Sequence, residues 1–296
     1  MTTPDTSVLT AVDDNGDDNP TLDGSPVGGR SPAPRRLMFG LELDGLTLAD
    51  VVQRCDAAVR QRERLLIGVV NAAKVVNLRR DPLLRESLLE ADVLLADGQS
   101  VVWASRLLRR RLPERVTGID LFEELLMLGD REGRAVYLLG ARPEVLRELV
   151  TRIEARFPGL RVVGSHDGYF TDAESEGVAA DVSASGADML FLGMVSPKKE
   201  VFLATHGPRL GVPVLHGVGG SFDVLAGRTR RAPRSWQRLG LEWAYRLAQE
   251  PRRLWKRYLV TNTRFVALVA CELVRPAAPL RRTAPTLTRR GNDVHG

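Results

Sequence analysis

The sequence has little sulfur, few aromatic residues and no long apolar run, and each shortage excludes something. Two cysteines, Cys55 and Cys271, stand far apart in 296 residues. That is too few for a disulfide framework or a cysteine metal site, and both read as ordinary buried side chains. His166 has no partner at metal-ligand spacing, and no Asp-x-Asp pair follows an apolar strand in the part read as folded, so no metal is expected. The apolar run Phe265 to Val274 is interrupted by Glu272 and falls short of the ~20 residues needed to span a bilayer. The opening Met-Thr-Thr-Pro-Asp lacks the basic-then-apolar order of a secretory signal. The expectation is a chain that stays inside the cell without a transmembrane helix.

What is present is a chain 44% hydrophobic, enough for one large α/β domain with appendages. Its net charge of +5 is unevenly spread. Residues 1–35 are rich in Asp, Gly, Pro, Thr and Ser and read as a disordered acidic tail. Asp13 to Asp18 faintly resembles a calcium loop, but the flanking helices and closing glutamate are missing. Between Arg228 and Arg257, ten basic residues face only Glu242 and Glu250, a stretch suited to phosphates.

Across the catalytic stretch, taken as residues 36–230, short apolar runs alternate with amphipathic segments. Strands are expected at Leu65–Val70, Val93–Ala96, Ala135–Leu139, Leu160–Val163, Met189–Leu192 and Val212–Leu215. Helical patterns cover Ala72–Glu90, Asp120–Asp130, Pro143–Phe157 and Ala173–Ser185. This order describes a Rossmann-like parallel sheet flanked by helices. Ligands of such folds sit beyond the carboxyl ends of the strands, where the chain places Asn71, Asp97-Gly98, Gly140, Asp167-Gly168-Tyr169, Gly193 and Gly217-Val-Gly219-Gly220. Residues 231–274 form a C-terminal helical appendage, basic and amphipathic: one helix over Ser235–Glu250, then another after Pro251. From 275 to 296 a second disordered tail is expected.

Asp97 lies at a strand exit where Gly98 lets the backbone turn, a place for a base that takes a proton from a hydroxyl. With few cationic neighbours in sequence it is equally a turn residue capping the helix near Gln99. Gly219 and Gly220 offer backbone amides to a diphosphate or make a tight turn. Tyr169 can stack on a base or sugar, and Asp223 can accept from a uracil or ribose; a rim aromatic and a turn aspartate are the plain readings. Arg246 and Arg253, seven residues apart, would share a face if the helix were unbroken. They would then balance the charge of a leaving diphosphate or rest on anionic headgroups.

Taken in order, Asn71, Ala96-Asp97-Gly98, the segment Pro113 to Asp120 with its Gly118, Val136 to Gly140, Phe157 to Leu160, Asp167 to Phe170, Gly193 to Glu200, Gly217 to Asp223, Arg231-Ala-Pro233 and Leu241 to Leu247 resemble the WecG/TagA/CpsF glycosyltransferases, family 26. The resemblance covers about residues 37–270. It implies a metal-independent inverting transferase with Asp97 as base. Asn71, Tyr169 and Asp223 would lie near the nucleotide, with Gly98, Gly118, Asp120, Gly140, Lys199, Gly219 and Gly220 along the substrate site. Arg246 and Arg253 would close over the diphosphate. It also implies a UDP-sugar donor, N-acetylmannosamine or another hexose, and a polyprenyl-diphosphate-linked acceptor. The place of action would be peripheral, on the inner face of the cytoplasmic membrane, with room for a homo-oligomer.

Two positions depart from the family pattern: Val69 replaces a threonine, and Lys199-Glu200 replaces Gln-Glu. These departures keep open a catalytically silent nucleotide-sugar binder; a transferase acting on a soluble acceptor is the other alternative. The basic end also raises a nucleic-acid binder, but Trp236, Trp243 and Trp255 stand at packing spacings rather than as stacking platforms, so no nucleic acid is expected.

Overall fold

The computed structural model describes residues 34–195, 198–238 and 240–282; the acidic tail and its calcium-like loop lie outside them. The chain enters as a two-stranded antiparallel hairpin, β1 (Arg35–Met38) and β2 (Leu41–Asp44), which no sequence pattern announced. Phe39 and Gly40 both take positive φ, 55° and 84°, the geometry of a tight two-residue hairpin turn. Helix α1 (Leu48–Gln61) follows, opened by a capping box between Thr47 and Asp50.

The sheet then builds in βα steps. β3 (Leu65–Val70) leads to α2 (Ala72–Asn77) and α3 (Pro82–Glu90). The single amphipathic stretch expected here is two helices, because Asp81 caps a new one with Pro82 at its first position. β4 (Val93–Ala96) precedes α4 (Gln99–Leu107) and α5 (Gly118–Glu132). Then come β5 (Ala135–Gly140), α6 (Pro143–Arg156), β6 (Arg161–His166), α7 (Ser175–Ala184), β7 (Met189–Gly193), α8 (Lys198–His206), β8 (Val214–Gly217) and α9 (Ser221–Leu225).

Six strands form a parallel sheet in the order β4-β3-β8-β7-β5-β6. This is a Rossmann-like α/β architecture. Its order makes β4, β3 and β8 neighbours, so the residues after these strands meet at one rim although they are distant in sequence. One face is packed by α1, α5 and α6 around Phe122, Leu125, Leu149 and Phe191; the other carries Leu190, Leu192, Val182 and Phe202 from β7, α7 and α8. The free edge of β4 does not stay open. Buried Asp44 of the hairpin accepts from Leu94 N at 2.8 Å and from Arg35 Nε at 3.2 Å, which blunts that edge.

The C-terminal helices are α10 (Arg234–Arg238), α11 (Glu242–Gln249) and α12 (Pro251–Val274). The helix expected over Ser235–Glu250 is therefore broken. Gly240, at φ 71°, is pressed onto Gln99, where a Cβ would come within 2.4 Å of Cγ, so only glycine fits there. A second break falls at Glu250, with φ −131° and ψ 59° before Pro251, so the unbroken helix on which a common face for Arg246 and Arg253 depended does not form. Their side chains lie outside those described. Phe265 and Val269 bury α12 against a third cluster with Phe39, Val75 and Leu84. Residues 275–282, read from sequence as tail, return to the hairpin: Leu280 N donates to Gly40 O at 2.8 Å. Cys55 is buried, but Cys271 is exposed, since it falls on the outer side of α12. No helix among the described residues is long and apolar enough to cross a membrane.

Candidate active site

The rim above β3, β4 and β8 gathers ionisable side chains around Asp97. The aspartate leaves β4 held by its backbone N–H, which donates to Val70 O at 2.9 Å. Its carboxylate does not cap α4, which begins after Gly98 with no side-chain cap, so the reading as a cap for the helix near Gln99 is excluded. Instead, Asp97 Oδ1 accepts from Gly118 N at 3.2 Å, and the Asn71 side chain donates to the same carboxylate. Asn71 is itself the N-cap of α2, its Oδ1 accepting from Lys74 N at 3.1 Å. That bond fixes the side chain and leaves its amide group for Asp97.

Burial raises the Asp97 pKa above the usual carboxylate range, opposed by the Lys74 charge, the Gly118 N–H, Arg115 and Asn71. Desolvation makes the carboxylate more basic, and the donors keep it available as an anion. Asp97 still has accessible surface, so a substrate hydroxyl can reach it.

Asp97 has few cationic neighbours in sequence, but the fold brings Lys74 and Arg115 to it, and Lys199 to Lys74. Lys74, on the first turn of α2, donates Nζ to Val69 O at 2.8 Å. Burial first, then the like charge of Lys199, pushes its pKa down to about 8. Arg115 precedes α5 and pairs with Glu242 of α11 at 2.7 Å. Lys199 lies 3.2 Å from Glu200, both largely buried, and its aliphatic stem crosses Gly217 so closely that a Cβ there would meet Cδ at 2.7 Å. The cation that departs from the family pattern is thus built into the floor beside β8. Beneath it, fully buried His216 sends Nε2 to Gly118 O at 3.1 Å. Burial lowers its pKa to about 4, so the ring is neutral and Nε2 carries the donated hydrogen.

The glycines divide into two kinds. Gly140 (φ 133°) stands with its Cβ direction 2.5 Å from the Gly193 carbonyl carbon, so its absence of side chain serves the close approach of the two chains where parallel β5 and β7 end. Gly219 has φ 54°, a conformation that favours glycine. Gly220 has an ordinary φ of −75° and open space where a Cβ would go. The fold makes no demand for glycine at Gly220. Gly98 is intermediate, with a Cβ 3.3 Å from that of Asn71.

Tyr169 is 69% exposed at the rim, on a loop clamped by Lys198 Nζ, which donates to Gly168 O at 2.8 Å and also to Phe170 O. Arg142, at the start of α6, hydrogen-bonds Tyr169 and faces Asp223, and these neighbours raise its pKa. Tyr169 and Asp223 are thus brought together around a cation that the sequence reading did not assign. Asp120 is engaged by protein: Thr117 Oγ1 donates to it at 2.6 Å, and Arg231 pairs with it. Arg231 also reaches Glu123 at 3.6 Å and Glu242 at 3.5 Å, a network that ties the C-terminal helices to the rim.

Lys74, Arg115, Arg142, His216 and Glu242 were missed by sequence reasoning. Only Lys74 carried a local signal: three residues after Asn71 at a helix start, it lies one turn from the rim. Among the described residues, no group of three or more His, Cys, Asp or Glu is placed to hold a metal.

A parallel α/β sheet with a shielded, donor-supported carboxylate at its carboxyl rim defines a Rossmann-like protein whose chemistry sits beyond the strand ends. The model of the glycosyl transferase WecG/TagA/CpsF family matches residues 36–279, and the chain belongs to that family. It is a glycosyltransferase of cell-envelope polysaccharide synthesis.

Proposed function

We propose that the protein transfers a hexose or N-acetylhexosamine, N-acetylmannosamine among them, from a UDP-sugar to a polyprenyl-diphosphate-linked acceptor, with inversion, using Asp97 as general base. The observation that carries this reading is the state of Asp97: accessible, raised in pKa, and oriented by Gly118 N–H and Asn71. Such a carboxylate can accept the acceptor hydroxyl's proton as the oxygen attacks the anomeric carbon and UDP departs from the opposite face. The donor's diphosphate has a cation and a backbone turn to meet: Arg142 at one side and, at the other, the turn at Gly220, while the Gly219 N–H is already given to Leu192 O at 3.3 Å. Tyr169 and Asp223, beside Arg142, suit the base and ribose.

The reading assigns no metal to the reaction. The charge that leaves with the diphosphate falls instead to arginines and N–H groups, and chelator leaves the rate unchanged in this mechanism. A peripheral position at the inner face of the cytoplasmic membrane belongs to the same reading. Trp255, Leu259, Val266 and Leu273 are exposed along α12 beside Arg252 and Lys256, an apolar and basic face of the interfacial type.

The test is UDP release from a panel of UDP-hexoses and UDP-N-acetylhexosamines, with and without a polyprenyl-diphosphate acceptor analogue. Acceptor-dependent release from at least one donor, with the product detected by mass spectrometry, is the expected result. No acceptor-dependent turnover from any of them rejects the reading.

A further inference from the structure

The far end of α4 carries a feature that transfer at the rim does not use. Arg106, Arg109, Arg110 and Arg111, with Leu107 and with Arg36 of β1, line an open cavity of about 680 Å³. A second hollow of about 570 Å³ adjoins it and shares Arg36, Arg106 and Arg111. Among the described residues, Arg110 alone of these five has a carboxylate partner, Glu272 at 2.7 Å, itself 4% exposed. Arg36, Arg106, Arg109 and Arg111 make no ion pair among the described residues. The C-terminus of α4 adds roughly half a negative charge. Among the described residues, Glu272 and this helix end balance only part of the five positive charges, so the cavity carries a net positive charge that attracts anions.

The loop backbone that carries these arginines, and the Arg110 side chain, are held in place before any ligand arrives. Fully buried Ser105 donates Oγ to Val102 O at 2.8 Å and accepts from Leu112 N at 3.1 Å. Arg110 N donates to Ser105 O at 2.8 Å, and Arg110 Nη1 to Leu37 O at 2.5 Å. Arg109 takes a left-handed φ of 57°, a conformation unfavourable for a side-chain-bearing residue and maintained here by those surrounding bonds. A rigid, strained loop that converges cations is the type of arrangement found at ligand clamps.

We propose that this cavity is a second anion site, built for a phosphate-bearing group, apart from the rim where Asp97 lies. Gln99, close after Asp97, and Leu107 are the two ends of α4, about 12 Å apart along the helix. Arginine's planar fork takes phosphate oxygens in pairs, and several forks around one hollow suit a phosphate or diphosphate. The same chemistry is offered by free diphosphate and by an anionic lipid headgroup. Trp103 and Leu107, one turn apart on α4 and 49% and 58% exposed, would meet the lipid in the second case.

The experiment uses the full chain and its R106Q/R109Q/R111Q variant, Arg110 being left because it anchors Glu272. A charge-matched control, R79Q/R80Q/R131Q, removes three exposed arginines elsewhere. Each protein is titrated calorimetrically with inorganic pyrophosphate and sedimented with phosphatidylcholine vesicles, with and without phosphatidylglycerol. The proposal expects the cavity variant to bind at least tenfold more weakly than wild type to one probe, while the control does not. Weakening toward pyrophosphate identifies free phosphate as the ligand; weakening toward the anionic vesicles alone identifies a headgroup. Thermal denaturation establishes that the variant is folded, and if it is not, Arg106→Gln alone must weaken the same probe at least threefold. Equal binding of both probes by wild type and the folded variant, or an equal loss in the control, overturns the proposal. None of these readouts depends on Asp97, so the transferase reading can fail without touching this one.

Discussion

Gly118 donates its backbone N–H to Asp97 Oδ1 across 3.2 Å, so the first residue of α5 orients a carboxylate that belongs to β4. The carbonyl of the same glycine receives His216 Nε2 at 3.1 Å. One residue thereby links the exits of two strands, and the chemistry of each can be tested separately.

Asp97→Asn removes the base while keeping the shape and the ability to accept from Gly118. Transfer is expected to fall by about 10²- to 10⁴-fold, the usual worth of a positioned base, with UDP affinity unchanged in calorimetry. A variant that keeps more than a tenth of the wild-type rate removes Asp97 from that role.

Lys74 holds the Asp97 pKa down through its charge. In Lys74→Met that opposition is gone, the carboxylate becomes harder to ionise, and the acidic limb of the kcat/KM profile moves to higher pH. Lys74→Arg should return it toward wild type. An unmoved limb in Lys74→Met shows that Lys74 does not act on Asp97.

His216 predicts a pH dependence of stability. Its folded pKa is lowered from 6.5 to about 4, so the unfolded chain binds more protons between those values. Stability from this group is therefore complete above about pH 6.5 and is lost as pH falls toward 4, by up to about 3 kcal/mol. Urea denaturation across that window should show the loss in wild type and a flatter dependence in His216→Gln.

Gly140 and Gly220 separate packing from function. Gly140→Ala places a Cβ 2.5 Å from the Gly193 backbone at φ 133°, and it should destabilise the fold by at least about 2 kcal/mol or prevent folding. Gly220→Ala meets open space and should leave the thermal midpoint within a degree or two of wild type, since such surface changes cost about 0.5 kcal/mol or less. In the proposed enzyme it raises the donor KM, and an unchanged KM would show that no donor passes close to Gly220.

The six sheet strands were legible because buried parallel strands are short branched runs ended by Gly, Asp or Asn, and Leu65–Val70 and Val93–Ala96 matched residue for residue. The hairpin Arg35–Asp44 escaped notice because four-residue strands around Phe39-Gly40 carry neither an Asn-Gly signal nor sustained alternation. Gly240 gave no warning of the break between α10 and α11, since its demand comes from Gln99 in another element.

The sequence by itself determined the α/β class, the position of Asp97 at a strand exit and the basic character of the C-terminal helices, because each of these is written in local pattern and charge. Tertiary structure decided what surrounds that carboxylate. Lys74, Arg115, Gly118 and Asn71 reach it from separate elements only because β4, β3 and β8 lie side by side, and a pKa responds to neighbours in space rather than in sequence.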